Sequence, residues 1–318
     1  MLSWQALTLR SLLSARRFLA PKLGGQDIES ARANLDMAGE LWRPLIPIDH
    51  IETLANGVPS EWVIPAGLGS DRVILYLHGG AYNAGSTRSH RALAANIAYA
   101  ARARALVIDY RLAPEHPYPA ALVDAFSAYR WLLDEGFRPE QIAVTGDSAG
   151  GGLTIALLTA LRERGYPMPA AAVVLSPWTD LSTSGASWQE NAKVDYLIHG
   201  SKLKEAARLY LKDISPQTPL ASPVYANLKG LPSLLIQVGS EEVLLSDSQR
   251  LAVHARLAGV DATLEVWDGM QHVWHFAASF LPEARQAIER VGQFILAQVE
   301  RQVVPALAPA LTGAIHIR

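Results

Sequence analysis

The five residues Gly146-Asp147-Ser148-Ala149-Gly150 constrain this chain more than any others. They follow the apolar run 141–145 and lead directly into a helical run over 151–164. Small residues two before and two after the serine let a strand turn sharply into a helix without clashes. Such a turn lifts the serine hydroxyl out of the backbone, where a base can reach it. The free amides and positive dipole end of the next helix then face whatever forms on that oxygen. The pattern alone is common; its place at a strand-turn-helix junction makes it specific.

A second motif, His78-Gly79-Gly80-Ala81-Tyr82, comes after the strand-like run 73–77. Two glycines past a buried strand permit a turn whose amides point into a cavity, and each amide that meets an oxyanion contributes ~10²–10³ in rate. Standing alone, these residues read equally well as a plain turn ending a strand. Beside the serine elbow, the oxyanion reading prevails.

Strand-like runs at 73–77, 106–110, 141–145, 172–175, 233–238 and 263–267 alternate with helical runs near 90–103, 120–134, 150–164, 246–258 and 282–300. Most of the strands are uninterrupted apolar runs, as expected for parallel strands covered on both faces. The pattern predicts an α/β fold, with a mostly parallel central sheet and helices on both faces. Residues 1–45 read as two helices before any strand, and 180–222 is too long for a structureless crossover. Both stretches are expected to form a helical cap over the carboxyl ends of the strands, where open α/β sheets bind ligands. That assigns 46–179 and 223–302 to the α/β domain, and 303–318 to a Pro/Ala-rich tail with no role assigned.

Half of the 318 residues are hydrophobic, and 28 basic residues nearly balance 30 acidic ones for a net charge of −2. Nothing in that balance indicates a nucleic-acid partner or a strongly charged substrate. With no cysteine in the chain, disulfides, thiol catalysis and thiolate metal sites are excluded. No run reaches the ~18 apolar residues of a membrane span. Arg10, Arg16, Arg17 and Lys22 precede the first acidic residue, Asp27, which superficially suits a transit peptide. The arginines interrupt any signal-peptide core, so the preferred reading is an amphipathic helix with Trp4, Leu7, Phe18 and Leu19 on one side. A cytoplasmic protein is expected.

A serine on such an elbow needs a base and an acid, which in this architecture come after it in the order acid, then histidine, on loops after later strands. His272 lies immediately after the last strand-like run, and its competitor His275 falls in the first turn of the next segment. His254 is mid-helix, and His50, His90, His116, His199 and His316 come after no suitable strand. For the acid, the loop 239–247 offers Glu241, Glu242 and Asp247. Ser246 and Gln249 read as a capping box, which puts Asp247 in a first helical turn where it complements the dipole. Spacing does not separate Glu241 from Glu242.

Together these segments resemble the hormone-sensitive lipase family of α/β-hydrolase esterases, over nearly the whole chain to about residue 300. The resemblance extends through Asp109-Tyr110-Arg111-Leu112-Ala113-Pro114-Glu115, Ser176-Pro177-Trp178-Thr179-Asp180-Leu181, Ala221-Ser222-Pro223 and His272-Val273-Trp274. It implies that Ser148 is the nucleophile and His272 the base, with the amides of Gly79, Gly80, Ala81 and Ala149 in the oxyanion region. The family's acid precedes an x-Leu pair, which favours Glu242 of Glu242-Val243-Leu244. Two departures stand out: the usual acid is aspartate, and the third glycine of the usual His-Gly-Gly-Gly is Ala81. Glutamate implies a slightly displaced loop, and alanine keeps its amide.

Tyr82 stands where the family carries an aromatic beside the substrate, and Trp188, Tyr196 and Leu197 are candidates for an acyl pocket; packing roles are the alternative. His78 is expected to brace the glycine loop, Asp147 to order the elbow, and Arg111 with Glu115 to form a turn pair. The implied activity is hydrolysis of short- to medium-chain acyl esters through an acyl-enzyme, without metal or organic cofactor, by a monomer or homodimer. Lactone hydrolysis would use the same machinery on a cyclic ester. Dehalogenase or epoxide hydrolase chemistry would need an aspartate at 148, and a peptidase relative an additional large domain. A non-catalytic receptor, like the plant gibberellin receptors that resemble this family, would lack the base.

Overall fold

The structure, a computed structural model, describes residues 2–19, 27–68 and 71–303. The tail expected at 303–318 therefore falls, beyond Val303, outside the described residues, as do Lys22 and the side chains of Phe18 and Leu19.

One eight-stranded sheet organises the molecule. Its strands are β1 (Ile48–Ala55), β2 (Val58–Pro65), β3 (Val73–Leu77), β4 (Arg104–Ile108), β5 (Ile142–Asp147), β6 (Ala171–Leu175), β7 (Ser233–Gly239) and β8 (Ala262–Trp267), in the order β1-β2-β4-β3-β5-β6-β7-β8. From β4 to β8 every neighbouring pair is parallel. Within β3 the apolar run is shared between two cores: Val73, Leu75 and Leu77 face one, Ile74 and Tyr76 the other. That division comes from the two-residue period of a strand and explains why the run has no polar positions.

The sheet is larger than the sequence pattern indicates. β1 and β2 form an antiparallel hairpin, and β2 pairs antiparallel with β4. The hairpin turns at Asn56 and Gly57, both at positive φ (50° and 85°), the conformation that a two-residue type I′ turn requires. β1 is mostly exposed, so it lacks the alternating apolar face by which strands are recognised.

Helices α4 (Ala120–Asp134), α5 (Ser148–Glu163) and α8 (Leu245–Leu257) cover one face of the sheet; α3 (Thr87–Ala100) and α9 (Pro282–Val303) cover the other. The two stretches outside the alternation contain α1 (Trp4–Leu19) and α2 (Ile28–Leu41), and α6 (Ser187–Glu190) and α7 (Gly200–Leu211). Leu203, Ala206, Ala207, Tyr210 and Leu211 of α7 join the core of the α4/α5 face. In α1 the buried side differs from the expected one. Ala6 is buried with Leu2 and Leu9 against the second core, whereas Trp4 is 66 % and Leu7 52 % exposed. Trp4 meets Phe280 edge-on at 5.7 Å.

Both stretches attach at the carboxyl ends of strands. Arg32 of α2 donates to Asn83 O (2.8 Å) and Ala113 O (3.0 Å), beyond β3 and β4. Tyr210 of α7 stacks on Tyr82 beyond β3, with ring centres 3.9 Å apart.

Candidate active site

Ser148 is the first residue of α5, directly after Asp147 ends β5. Its φ of +52° is the left-handed conformation, which costs a non-glycine residue roughly 1–2 kcal/mol. The turn also needs a residue without a side chain at 150: a Cβ on Gly150 would lie 2.0 Å from Leu77 O. Among the described residues nine non-glycines have positive φ, and five of them are Ala81, Tyr82, Ser148, Ser176 and Val273. Backbone strain is thus concentrated around this hydroxyl, as it is at sites where geometry serves chemistry.

The imidazole of His272, on the loop after β8, reaches that hydroxyl: Nε2 lies 2.9 Å from Ser148 Oγ. On its other side Nδ1 lies 2.8 Å from Glu242 Oε2, on the loop after β7. Glu242 is fully buried, and its Oε1 accepts from Gly239 N–H (2.6 Å) and Ser176 Oγ (2.7 Å). Burial pushes the His272 ring down. The hydrogen bond and charge of Glu242, then the charges of Asp195 and Asp147, outweigh it and hold the ring above its ordinary pKa. A neutral imidazole in this position can take the serine proton, while the carboxylate fixes the tautomer and stabilises the imidazolium that results.

The other acids of the loop are engaged elsewhere. Glu241 pairs with Arg10 of α1 (2.7 Å) and accepts from Gln271 Nε2 (2.7 Å). Asp247 lies in the first turn of α8, but it is buried and accepts from Thr179 N–H, Asp180 N–H and Trp188 Nε1–H. Burial pushes its carboxyl up, to about 7. The expected capping box is not formed: Leu244 holds the N-cap position, and Ser246 bonds instead to Ser187. His275 is buried, bonded to Gln237 Oε1 (2.8 Å), and pushed by burial down to about 3.

On the glycine loop the four candidate amides divide. Gly79 N–H points inward to Asp147 Oδ1 (3.0 Å), with His90 Nε2 at 3.2 Å, so it is already committed. Gly80 (φ +114°) and Ala81 (φ +55°) turn the chain back. Ala149, second residue of α5, has an amide with no partner inside its own helix. His78 braces the loop as expected: its ring stacks on Tyr110 at 4.1 Å and Nδ1 meets Gly79 O at 2.7 Å. Asp147 orders the elbow by also accepting from Tyr76 OH (2.8 Å). Arg111 and Glu115 do not pair with each other. Arg111 pairs with Asp124 of α4 (2.8 Å), and Glu115 with Arg32 of α2 (2.7 Å).

Of the candidate pocket residues, Tyr82 is buried between Tyr210 and Trp178. Trp188 is held by Asp247 and lines a cavity of about 460 Å³ with Gly185, Gly200 and Lys204, a wall that includes none of Ser148, Glu242 or His272. Tyr196 and Leu197 are partly buried and belong to a clamp that sequence reasoning missed. Tyr196 N–H donates to Gln271 Oε1 (2.8 Å), and Gln271 Nε2 donates to Val194 O (3.0 Å). The buried carboxylate of Asp195 accepts from Val243 N–H (2.9 Å), Leu197 N–H (3.0 Å) and Ile198 N–H (2.8 Å). Asn191 Nδ2 donates to Ser240 O and Glu242 O. Segment 191–198 therefore grips the residues flanking both Glu242 and His272. Among the described residues no cluster of His, Asp and Glu is fit to hold a metal, and no helix is long and apolar enough to cross a membrane.

Residues 74–276 match the model of a family of alpha/beta hydrolase fold. The chain is 46 % identical to an acetyl-hydrolase of Streptomyces hygroscopicus over 85 % of its own length and 90 % of the relative's. It is 37 % identical to an esterase of Acinetobacter venetianus, over 73 % and 77 % of the two lengths. A crystal structure of an esterase from the bacterial hormone-sensitive lipase family superposes with a TM-score of 0.89 at 45 % identity, covering 93 % of this chain and 99 % of that one. The chain belongs to the hormone-sensitive lipase family of α/β-hydrolases and is a serine carboxylic-ester hydrolase.

Proposed function

We propose that the protein hydrolyses short- to medium-chain acyl esters through a covalent acyl-enzyme, with Ser148 as nucleophile, His272 as general base and acid, and Glu242 as the carboxylate behind it. The observation that carries this reading is the unbroken hydrogen-bonded line from Ser148 Oγ through both nitrogens of His272 to Glu242 Oε2. Ser148 attacks the acyl carbon as His272 takes its proton. The oxyanion settles toward the amides of Gly80, Ala81 and Ala149, which Gly79 no longer joins. His272 then protonates the departing alcohol, and the same ring activates water to release the acid.

In this reading α1, α2, α6 and α7 form the cap, as stretches 1–45 and 180–222, over an α/β domain of 46–179 and 223–302. Tyr82, on the oxyanion turn itself, walls the substrate side and its stack on Tyr210 limits acyl length. Tyr196 and Leu197 flank the same opening through their ties to Gln271 and Asp195. Trp188 lines a separate cavity and is bonded to Asp247, which supports the packing role for it.

Turnover of p-nitrophenyl esters from two to twelve acyl carbons tests the proposal. Activity is expected to peak at short to medium chains, and Ser148→Ala to lose about 10⁶-fold by comparison with other triads. Near-normal turnover by that variant would remove Ser148 from the mechanism.

A further inference from the structure

We infer that Ser176 is a positioning residue whose hydroxyl locks the acid and the base of the proposed triad to each other; the inference rests on the Ser148–His272–Glu242 reading. Ser176 comes directly after the last residue of β6, a strand that carries none of the three groups, and it is fully buried. Its Oγ lies 2.7 Å from Glu242 Oε1 and 3.1 Å from the backbone nitrogen of Val273, the residue after the base. An amide can only donate, so Oγ accepts from Val273. An ionised carboxylate can only accept, so the single hydroxyl proton points at Oε1. The direction of both bonds is thereby fixed.

The consequence is a division of labour between the two carboxylate oxygens. Oε1 is held by Ser176 and by Gly239 N–H, at the ends of β6 and β7. Oε2 is left to the imidazole. Because the same hydroxyl also holds the peptide after His272, one atom links the acid side chain to the base loop, across 66 and 97 residues of sequence. Ser176 N–H is itself pinned to Gln237 O at 2.7 Å, so the hydroxyl has a rigid mount.

The backbone offers a way to separate this role from folding. Ser176 has φ +47°, a conformation in which glycine is unstrained. Ser176→Gly thus removes the hydroxyl without adding backbone strain, and Ser176→Ala removes it while keeping Cβ. Both variants are measured for kcat, KM and thermal midpoint with p-nitrophenyl butyrate, alongside Ser148→Ala. A lost hydrogen bond to a charged group corresponds to about a ten- to hundredfold fall in kcat, expected in both variants with KM changed by less than about twofold. The Gly variant is expected to melt no lower than the Ala variant.

A Gly variant with kcat within about twofold of the unaltered protein overturns the inference, and so does a loss confined to Ala, which would trace the effect to the backbone. The two readings fail separately. An inactive Ser148→Ala beside a fully active Ser176→Gly removes only the positioning role, whereas an active Ser148→Ala removes the triad beneath it.

Discussion

The sheet and segment 191–198 are held in place by different forces. Every residue of β3, β5 and β6 is buried, and the sheet stands on apolar packing from both faces. Segment 191–198 instead attaches through directed hydrogen bonds: Asn191 and Gln271 donate to backbone carbonyls of the acid-side loop and of the segment, and Asp195 accepts from the Val243 amide. Apolar burial is strong but not directional, so it fixes the frame without fixing an atom to a few tenths of an ångström. Hydrogen bonds to backbone N–H and C=O groups contribute less each, yet they set position and angle. The division suits a hydrolase: the sheet supplies the stability, and the inserted segment supplies the registration of loops whose side chains must meet.

The largest test of that division is at the junction itself. His272→Ala is expected to cost about as much activity as Ser148→Ala, and the double variant no more than either, because groups that act as one unit are not additive. Multiplicative losses in ester turnover would break the unit. In the sheet, Leu75→Ala should destabilise by about 2–5 kcal/mol, read by denaturant unfolding, while the molecules still folded keep near-normal kcat. A proportionate fall in kcat at constant stability would show that the sheet also sets the fine geometry.

In the inserted segment the order should reverse. Asp195→Ala orphans the buried amide of Val243, at about 1–3 kcal/mol of desolvation, and the partly buried amides of Leu197 and Ile198, and is expected to lower kcat about tenfold with the fold retained. A variant that melts early yet turns over normally when cold would assign Asp195 to stability alone. Its charge also has a signature in pH. The proposed base works only when neutral, and His272 is held above its ordinary value. The acid limb of kcat/KM should therefore lie above pH ~6.5. Asp195→Asn, which removes one of the charges raising it, should move that limb downward; an upward or absent shift contradicts the electrostatic contribution. The smallest effect belongs to Arg10→Ala. Its pair with Glu241 is partly exposed, so stability should change by about 0.2–1 kcal/mol. A large loss of activity there would make α1 part of the clamp.

How legible each part was in the sequence depends on how local its cause is. Ser148 and the glycine loop could be read because elbow and turn are made by consecutive residues, each beside its own apolar strand. His272 could be found by order along the chain. Glu242 and Glu241 could not be separated by spacing. They are adjacent on one turn that sends one inward to His272 and the other to Arg10 and Gln271. The β1/β2 hairpin had a readable signal in Asn56-Gly57, masked by the exposed composition of β1. The commitment of Gly79 to Asp147, the partners of Arg111 and Glu115, and the roles of Ser176 and Asp195 had no local signal. Their partners stand 13 to 97 residues away, apart from the local bonds within 195–198, and only the packed fold brings them within reach.

The most direct measurement is the site of attachment of a serine-reactive phosphonate, read by intact mass and peptide mapping. A single adduct on Ser148, forming far more slowly in His272→Ala, is the expected result. An active esterase that takes no label at residue 148, or that is labelled equally fast without the imidazole, contradicts the proposed triad.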